Sequence, residues 1–141
     1  DGTFPYHHYH SGAHEVVGVA RGGAVLQFGG PDGTVVEVSA GDAVVIPAGV
    51  VHRRIDDAPG YSAVGAYPHH QVPDVCVLSE NDEIIADQRA ETAGLDIKLI
   101  EANQLAGIKA SIAATVLPDT DPIWGNTGPI PDLWLALKSH N

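Results

Sequence analysis

Short stretches of apolar and β-branched residues, separated by glycine-rich turns, fill the first half of the chain. Five of these stretches have the length and composition of β-strands: residues 15–19, 24–28, 34–38, 43–46 and 61–67. Pro31-Asp32-Gly33 is typical of a hairpin turn between the second and third stretches. Short strands at such regular spacing predict a mainly β fold, either a sandwich or a barrel.

The second half of the chain has a different pattern. A helix is predicted over residues 79–90, because a serine that can cap it is followed three residues later by an acid. Aliphatic residues recur at helical spacing in residues 103–115 and predict a second helix. Residues 117–128, rich in Pro, Asp and Gly, are expected to form an ordered loop. We therefore expect a barrel over about residues 1–77 and a helical annex with a C-terminal arm over about 78–141.

Composition restricts the partners and the compartment. The 141 residues suffice for one domain with a real core, and a net charge of −11 makes nucleic acid a poor partner. No apolar run reaches the ~20 residues of a membrane helix, so no membrane is expected. Cys76 is the only cysteine, which excludes an internal disulfide and favours the cytoplasm. Because the chain has no methionine and opens with Asp1, we expect an N-terminal segment to be missing.

Four residues have the spacing of a metal site. His8 and His10 are two positions apart, so on a strand their side chains point to the same face, roughly 6.5–7 Å apart. Glu15 would face the other way on an unbroken strand, but a turn or bulge at Ser11-Gly12-Ala13 resets the alternation. A turn that contains Pro and Gly leads into His52 at the start of another strand. We predict that His8, His10, Glu15 and His52 bind one metal ion.

Three imidazoles and one carboxylate suit Fe, Mn, Ni, Zn or Cu, whereas Mg and Ca prefer oxygen ligands throughout. Four protein ligands on a six-coordinate ion leave two positions for water, dioxygen or substrate. The alternative is a polar barrel mouth that binds no metal. Four further histidines are expected elsewhere: His7 facing outward, His14 as a hydrogen-bonding residue beside the site, and His69 and His70 in a solvated loop.

The spacing of these residues resembles the two sequence motifs of the cupins. Every position of the first motif, G-x5-HxH-x(3,4)-E-x6-G, is filled: Gly2, His8, His10, Glu15 and Gly22. The second motif, G-x5-PxG-x2-H-x3-N, is matched at all positions but the last, where Asp56 replaces Asn: Gly41, Pro47, Gly49 and His52. Further runs at residues 6–22, 65–68 and 121–134 look most like the YjlB-type bacterial cupins.

The resemblance implies a fold and a class of functions. The expected fold is a double-stranded β-helix, the cupin jelly-roll barrel, with a small helical C-terminal annex in one domain over residues 1–141. The leading hypothesis is a metal-dependent oxidoreductase, dioxygenase-like, acting on a small organic molecule. A Zn- or Ni-dependent sugar or keto-acid isomerase or lyase stays open, and so does a non-catalytic small-molecule-binding cupin. The resemblance also implies a homodimer.

Overall fold

The computed structural model describes residues 3–78, 97–100 and 102–134. Within these ranges the chain forms eight β-strands: β1 Glu15–Arg21, β2 Gly23–Phe28, β3 Thr34–Ser39, β4 Ala43–Ile46, β5 His52–Asp57, β6 Ser62–Ala66, β7 Val75–Leu78 and β8 Ile97–Ile100. A 3₁₀ turn at Ala102–Gln104 leads into one α-helix, α1 (Leu105–Ala114), and a π-helical turn follows at Ile130–Trp134. The mainly β class with a small C-terminal helix is therefore confirmed.

Six of the strands form two antiparallel sheets of three strands each, in the orders β4-β1-β6 and β3-β2-β5. The predicted hairpin joins β2 and β3, with Leu26 opposite Val36 and Phe28 opposite Thr34. β7 and β8 form a separate parallel pair. The sequence did not predict this pair.

Apolar side chains from both sheets pack against each other between them. Val17 and Val19 of β1 are buried, as the alternation of the strand requires. Val17 packs with residues of β4 and β6, and Val19 packs with residues of β2 and β3. Phe28 contacts both groups. The two sheets thus share one interior, as expected for the jelly-roll barrel.

The segment before β1 connects the second sheet to β7. His8 exchanges two backbone hydrogen bonds with His52, at 3.1 and 2.8 Å, and Tyr9 exchanges two with Cys76, at 3.0 and 2.8 Å. Because neighbouring residues of an extended chain face opposite sides, the ring of His8 lies against that of His52 while Tyr9 packs with Cys76 and Ile100. His8 therefore contributes its side chain to the barrel interior, and Tyr9 contributes its side chain to the cluster formed with β7 and β8.

The predicted helix over residues 103–115 is confirmed as α1 with its preceding 3₁₀ turn. Its apolar side packs against Tyr9 and its neighbours through Leu105, Ile108 and Ile112. The predicted helix over 79–90 lies outside the described residues. In the C-terminal arm, the buried Asp121 carboxylate accepts three backbone N–H groups, which orders this loop as expected. None of the described helices is long and apolar enough to span a membrane.

Gly107 offers a test of α1. It is exposed in the middle of the helix, and a Cβ atom there would meet nothing within 4 Å. Glycine destabilises a helix interior by ~0.5–1 kcal/mol relative to alanine, so we expect Gly107→Ala to raise the free energy of unfolding by about that amount. Urea denaturation measures the change. Gly41→Ala is the matched control: it also meets no neighbour, but φ is +99°, so it should lower stability.

Candidate metal centre

Three imidazoles meet inside the barrel. His8, His10 and His52 each present a ring nitrogen, and these atoms all lie within 4.8 Å of one another. The three side chains are almost fully buried, at 3%, 4% and 1% exposure. The centroids of the His8 and His52 rings are 4.1 Å apart, and that of His10 lies 5.6 and 5.7 Å from them. The structure thus brings together the three histidines that the sequence singled out.

Each imidazole is anchored through Nδ1 to a backbone carbonyl oxygen. The acceptors are Tyr6, 3.0 Å from His8, Val50, 2.9 Å from His52, and Asp74, which contacts His10. A carbonyl oxygen only accepts hydrogen bonds, so we assign a hydrogen to Nδ1 of each of the three rings. In a neutral ring this leaves the lone pair on Nε2. Metal-binding histidines are oriented in the same way, by a hydrogen bond from the nitrogen that does not bind the metal.

Glu15, the first residue of β1, reaches two of the imidazoles. Its Oε2 lies 3.0 Å from Nε2 of His10 and 3.3 Å from Nε2 of His52. The hydroxyl of Tyr67 donates a hydrogen bond to the other carboxylate oxygen, Oε1, at 3.1 Å. A bend at Ser11-Gly12 precedes β1 and produces the predicted change of facing. All four predicted residues therefore lie side by side.

Burial and mutual contact set the charges of these groups. Burial, with a smaller contribution from His52, lowers the pKa of His8 to about 3, so this ring is neutral. Burial also acts to lower the pKa of His10, but its hydrogen bonds to Glu15 and to the Asp74 carbonyl raise it overall. Burial acts to raise the pKa of Glu15, and the adjacent imidazoles of His10 and His52 outweigh it, so the pKa falls below its usual range. The site therefore holds one carboxylate anion among imidazoles.

The residues fit a metal ion by two criteria. Nε2 of His52 is buried and makes no hydrogen bond to any described residue, although Glu15 lies nearby. An unsatisfied buried polar atom of this kind costs about 1–3 kcal/mol, which a cation bound by Nε2 would offset. Imidazole nitrogens with one carboxylate also form the donor set of divalent transition metals.

The four other histidines among the described residues lie outside this cluster. His14 accepts a hydrogen bond from the backbone N–H of Ala48 at Nδ1, 3.0 Å away, and its ring packs against Trp134. The predicted hydrogen-bonding role of His14 is confirmed. His7 lies 3.3 Å from the side-chain oxygen of Gln27, and His69 and His70 are exposed.

Sequence reasoning missed the residues that position the carboxylate and one imidazole. Tyr67 hydrogen-bonds Glu15, and Gly65 leaves room for its carboxylate, since a Cβ there would lie 2.6 Å from Oε1. Both continue the alternation of the buried Ala63 on β6. That alternation is a signal from which both could have been found. Asp74 provides the carbonyl for His10, and its carboxylate accepts hydrogen bonds from the backbone and hydroxyl of Ser11, at 2.7 and 2.6 Å. No local pattern marks Asp74 in the sequence.

The jelly-roll fold and the histidine cluster define a cupin, and comparison with known proteins agrees. The family model described as the cupin domain matches residues 1–62, which include all four predicted metal ligands. The chain is 36% identical over 133 residues to the uncharacterized protein YjlB of Bacillus subtilis (strain 168), a match that covers 94% of this chain and 67% of YjlB. The chain belongs to the cupin family, and the resemblance to YjlB-type cupins is confirmed. No solved structure matches it.

Proposed function

We propose that the protein is a metal-dependent oxidoreductase of the dioxygenase type that acts on a small organic molecule. His8, His10 and His52 would hold one divalent ion through Nε2, and Glu15 would be the fourth ligand. The observation that supports the proposal is the convergence of three buried imidazoles, each anchored at Nδ1, with a buried carboxylate in contact with two of them. A redox-active ion such as Fe(II) or Mn(II) supplies coordination positions and electrons for a reaction with dioxygen.

The surrounding residues fix the donor atoms and exclude water. The rings of Phe4 and Tyr6 lie against His8, with centroid distances of 5.0 and 5.7 Å, and Phe28 stacks over His52 at 6.4 Å. These apolar walls lower the local dielectric constant, so the single negative charge of Glu15 attracts a cation more strongly than it would in water. The hydrogen bond from Tyr67 holds Oε1, which leaves Oε2 directed at the imidazoles.

Oxygen uptake tests the proposed reaction. Protein purified without chelators or added metal is first analysed for its metal content. It is then reconstituted separately with Fe(II), Mn(II), Ni(II) and Zn(II) and offered a panel of small organic molecules in an oxygen electrode. We expect product formation with Fe or Mn, accompanied by stoichiometric oxygen consumption. Turnover that proceeds without oxygen, or equally well with Zn, would overturn the proposal and favour an isomerase or lyase.

Gly65 provides a test of the role of Glu15. A Cβ atom on Gly65 would lie 2.6 Å from Oε1 of Glu15, so Gly65→Ala must displace the carboxylate from its contact with Tyr67. If Glu15 is a ligand, we expect metal affinity to fall by ~10–100-fold, the usual effect of disturbing the support of a ligand. Titration against a competing chelator measures the affinity. Gly18→Ala on β1, where a Cβ meets nothing within 4 Å, is the control. Unchanged affinity in Gly65→Ala would argue that Glu15 is not a ligand.

A further inference from the structure

A cavity of about 850 Å³ adjoins the metal centre on the outer side of the β4-β1-β6 sheet. Its floor includes Val16, Val45 and Ala66, which are paired neighbours across the three strands. They face outward because the next residue of β1, Val17, is buried in the core. Its other wall is the end of α1 and the arm that follows, residues 114–120. The volume lies within the ~300–1,000 Å³ typical of small-molecule sites.

We propose that this cavity is a binding site for an uncharged, largely apolar small molecule. Most of the wall is apolar and is made by side chains from the sheet and from the arm: Val16, Val45, Leu117, Pro118 and Ile130. Burial of apolar surface is therefore the main source of affinity, at roughly 25 cal/mol per Å² removed from water.

The charges around the cavity disfavour an anion. In the metal-free protein the acids Glu15 and Asp119 line it, whereas none of its described lining residues is Lys or Arg. A carboxylate or phosphate would therefore lose its hydration without gaining an ion pair, and the overall charge of −11 repels it further. His14, His69 and His70 also line the cavity. Water and salt screen the exposed groups Asp119, His69 and His70, so the preference for a neutral ligand depends mainly on the lack of a described Lys or Arg.

The cavity meets the metal centre at two residues. Glu15 and Tyr67 both line it, whereas the three clustered histidines do not. The Tyr67 hydroxyl donates to Oε1 of Glu15 and lies 3.5 Å from Nε2 of His10. A molecule in the cavity therefore lies beside Glu15 and Tyr67 and contacts none of the three imidazoles.

Two matched fluorescent probes test the preference for a neutral ligand. N-phenyl-1-naphthylamine and 8-anilino-1-naphthalenesulfonate share the same rings and differ by one sulfonate group, and both brighten in apolar surroundings. We expect the neutral probe to bind at one site per chain with a Kd at least ~10-fold lower than that of the sulfonate. Equal affinity, or tighter binding of the sulfonate, would overturn the proposal.

Two adjacent alanines of α1 show whether the probe occupies this cavity. Both are exposed, but only Ala114 lines the cavity, since Ala113 points about 100° away around the helix. Ala114→Trp should place an indole ring in part of the cavity and weaken binding of the neutral probe by at least ~10-fold, whereas Ala113→Trp should leave it unchanged. The probe is excited at its own absorption band, so the new tryptophan does not contribute to the measured fluorescence. Equal effects of the two variants would place the probe elsewhere and refute the assignment.

A charge reversal at the cavity wall provides an independent measurement. Asp119→Lys replaces an exposed acid with a cation, so it should tighten binding of the sulfonate and leave the neutral probe unaffected. An unchanged ratio of the two affinities would contradict the electrostatic part of the proposal. Probe binding requires neither metal nor oxygen, so failure of the proposed activity and failure of the cavity assignment are separate results.

Discussion

Replacing His52 with alanine is expected to abolish stoichiometric metal binding. The change removes one of three converging imidazoles and leaves the other two with a single carboxylate. Since loss of a residue that merely supports a ligand costs ~10–100-fold in affinity, loss of a ligand should cost at least ~100-fold. Elemental analysis of protein purified without chelators measures the change directly.

His7→Ala is the matched control for this variant. His7 is next to the site in sequence, but it contacts Gln27 and lies outside the cluster. It should keep the metal content of the unmodified protein. Metal at 100 times the Kd of the control should also raise the free energy of unfolding by about 2.7 kcal/mol in the control and by no more than about 0.4 kcal/mol in His52→Ala. Full metal content in His52→Ala would contradict the assignment of the centre.

Among the proposed variants, Leu26→Ala is expected to lower the free energy of unfolding the most. Leu26 is 1% exposed on the central strand β2 and packs with buried residues of β1 and β3. Truncation of such a side chain removes apolar burial and leaves a cavity, at a cost of about 2–5 kcal/mol. Because small domains have only about 5–15 kcal/mol of total stability, this is a large fraction of it.

Val35→Ala on the same hairpin is the control for Leu26→Ala. Val35 is 52% exposed on β3, so its truncation should change stability by no more than about 0.5 kcal/mol. Chemical denaturation of both variants measures the difference, and comparable losses would show that the core does not lie between the two sheets.

Local pattern was sufficient to predict the six strands of the two antiparallel sheets and the shared face of His8 and His10. The bends and turns that separate the strands are encoded within a few residues, so the β2–β3 hairpin and the facing of Val17 and Val19 followed from alternation. His8 and His10 share a face for the same reason. The resemblance of their spacing to the cupin motifs then connected this pair to Glu15 and His52.

Contacts between segments that are far apart in the sequence could not be predicted from local pattern. The parallel pairing of β7 with β8 has no turn to mark it, since parallel strands need a long connection. The contact of Asp74 with Ser11 and His10 likewise depends on how far-apart segments meet in the folded chain. Tyr67 is intermediate: its facing follows from alternation, but its hydrogen bond to Glu15 depends on the pairing of β1 with β6.

The backbone pairing of His8 with His52 has a mechanical consequence. The two residues belong to distant parts of the chain, yet they are joined by two hydrogen bonds and have their rings in contact. An ion bound by both rings would act as a reversible crosslink between the two segments. It would close the long loop between His8 and His52. A disulfide cannot do this within the chain, because Cys76 is its only cysteine. Chelation should then loosen residues 3–10 first, and limited proteolysis should cut there before the barrel opens.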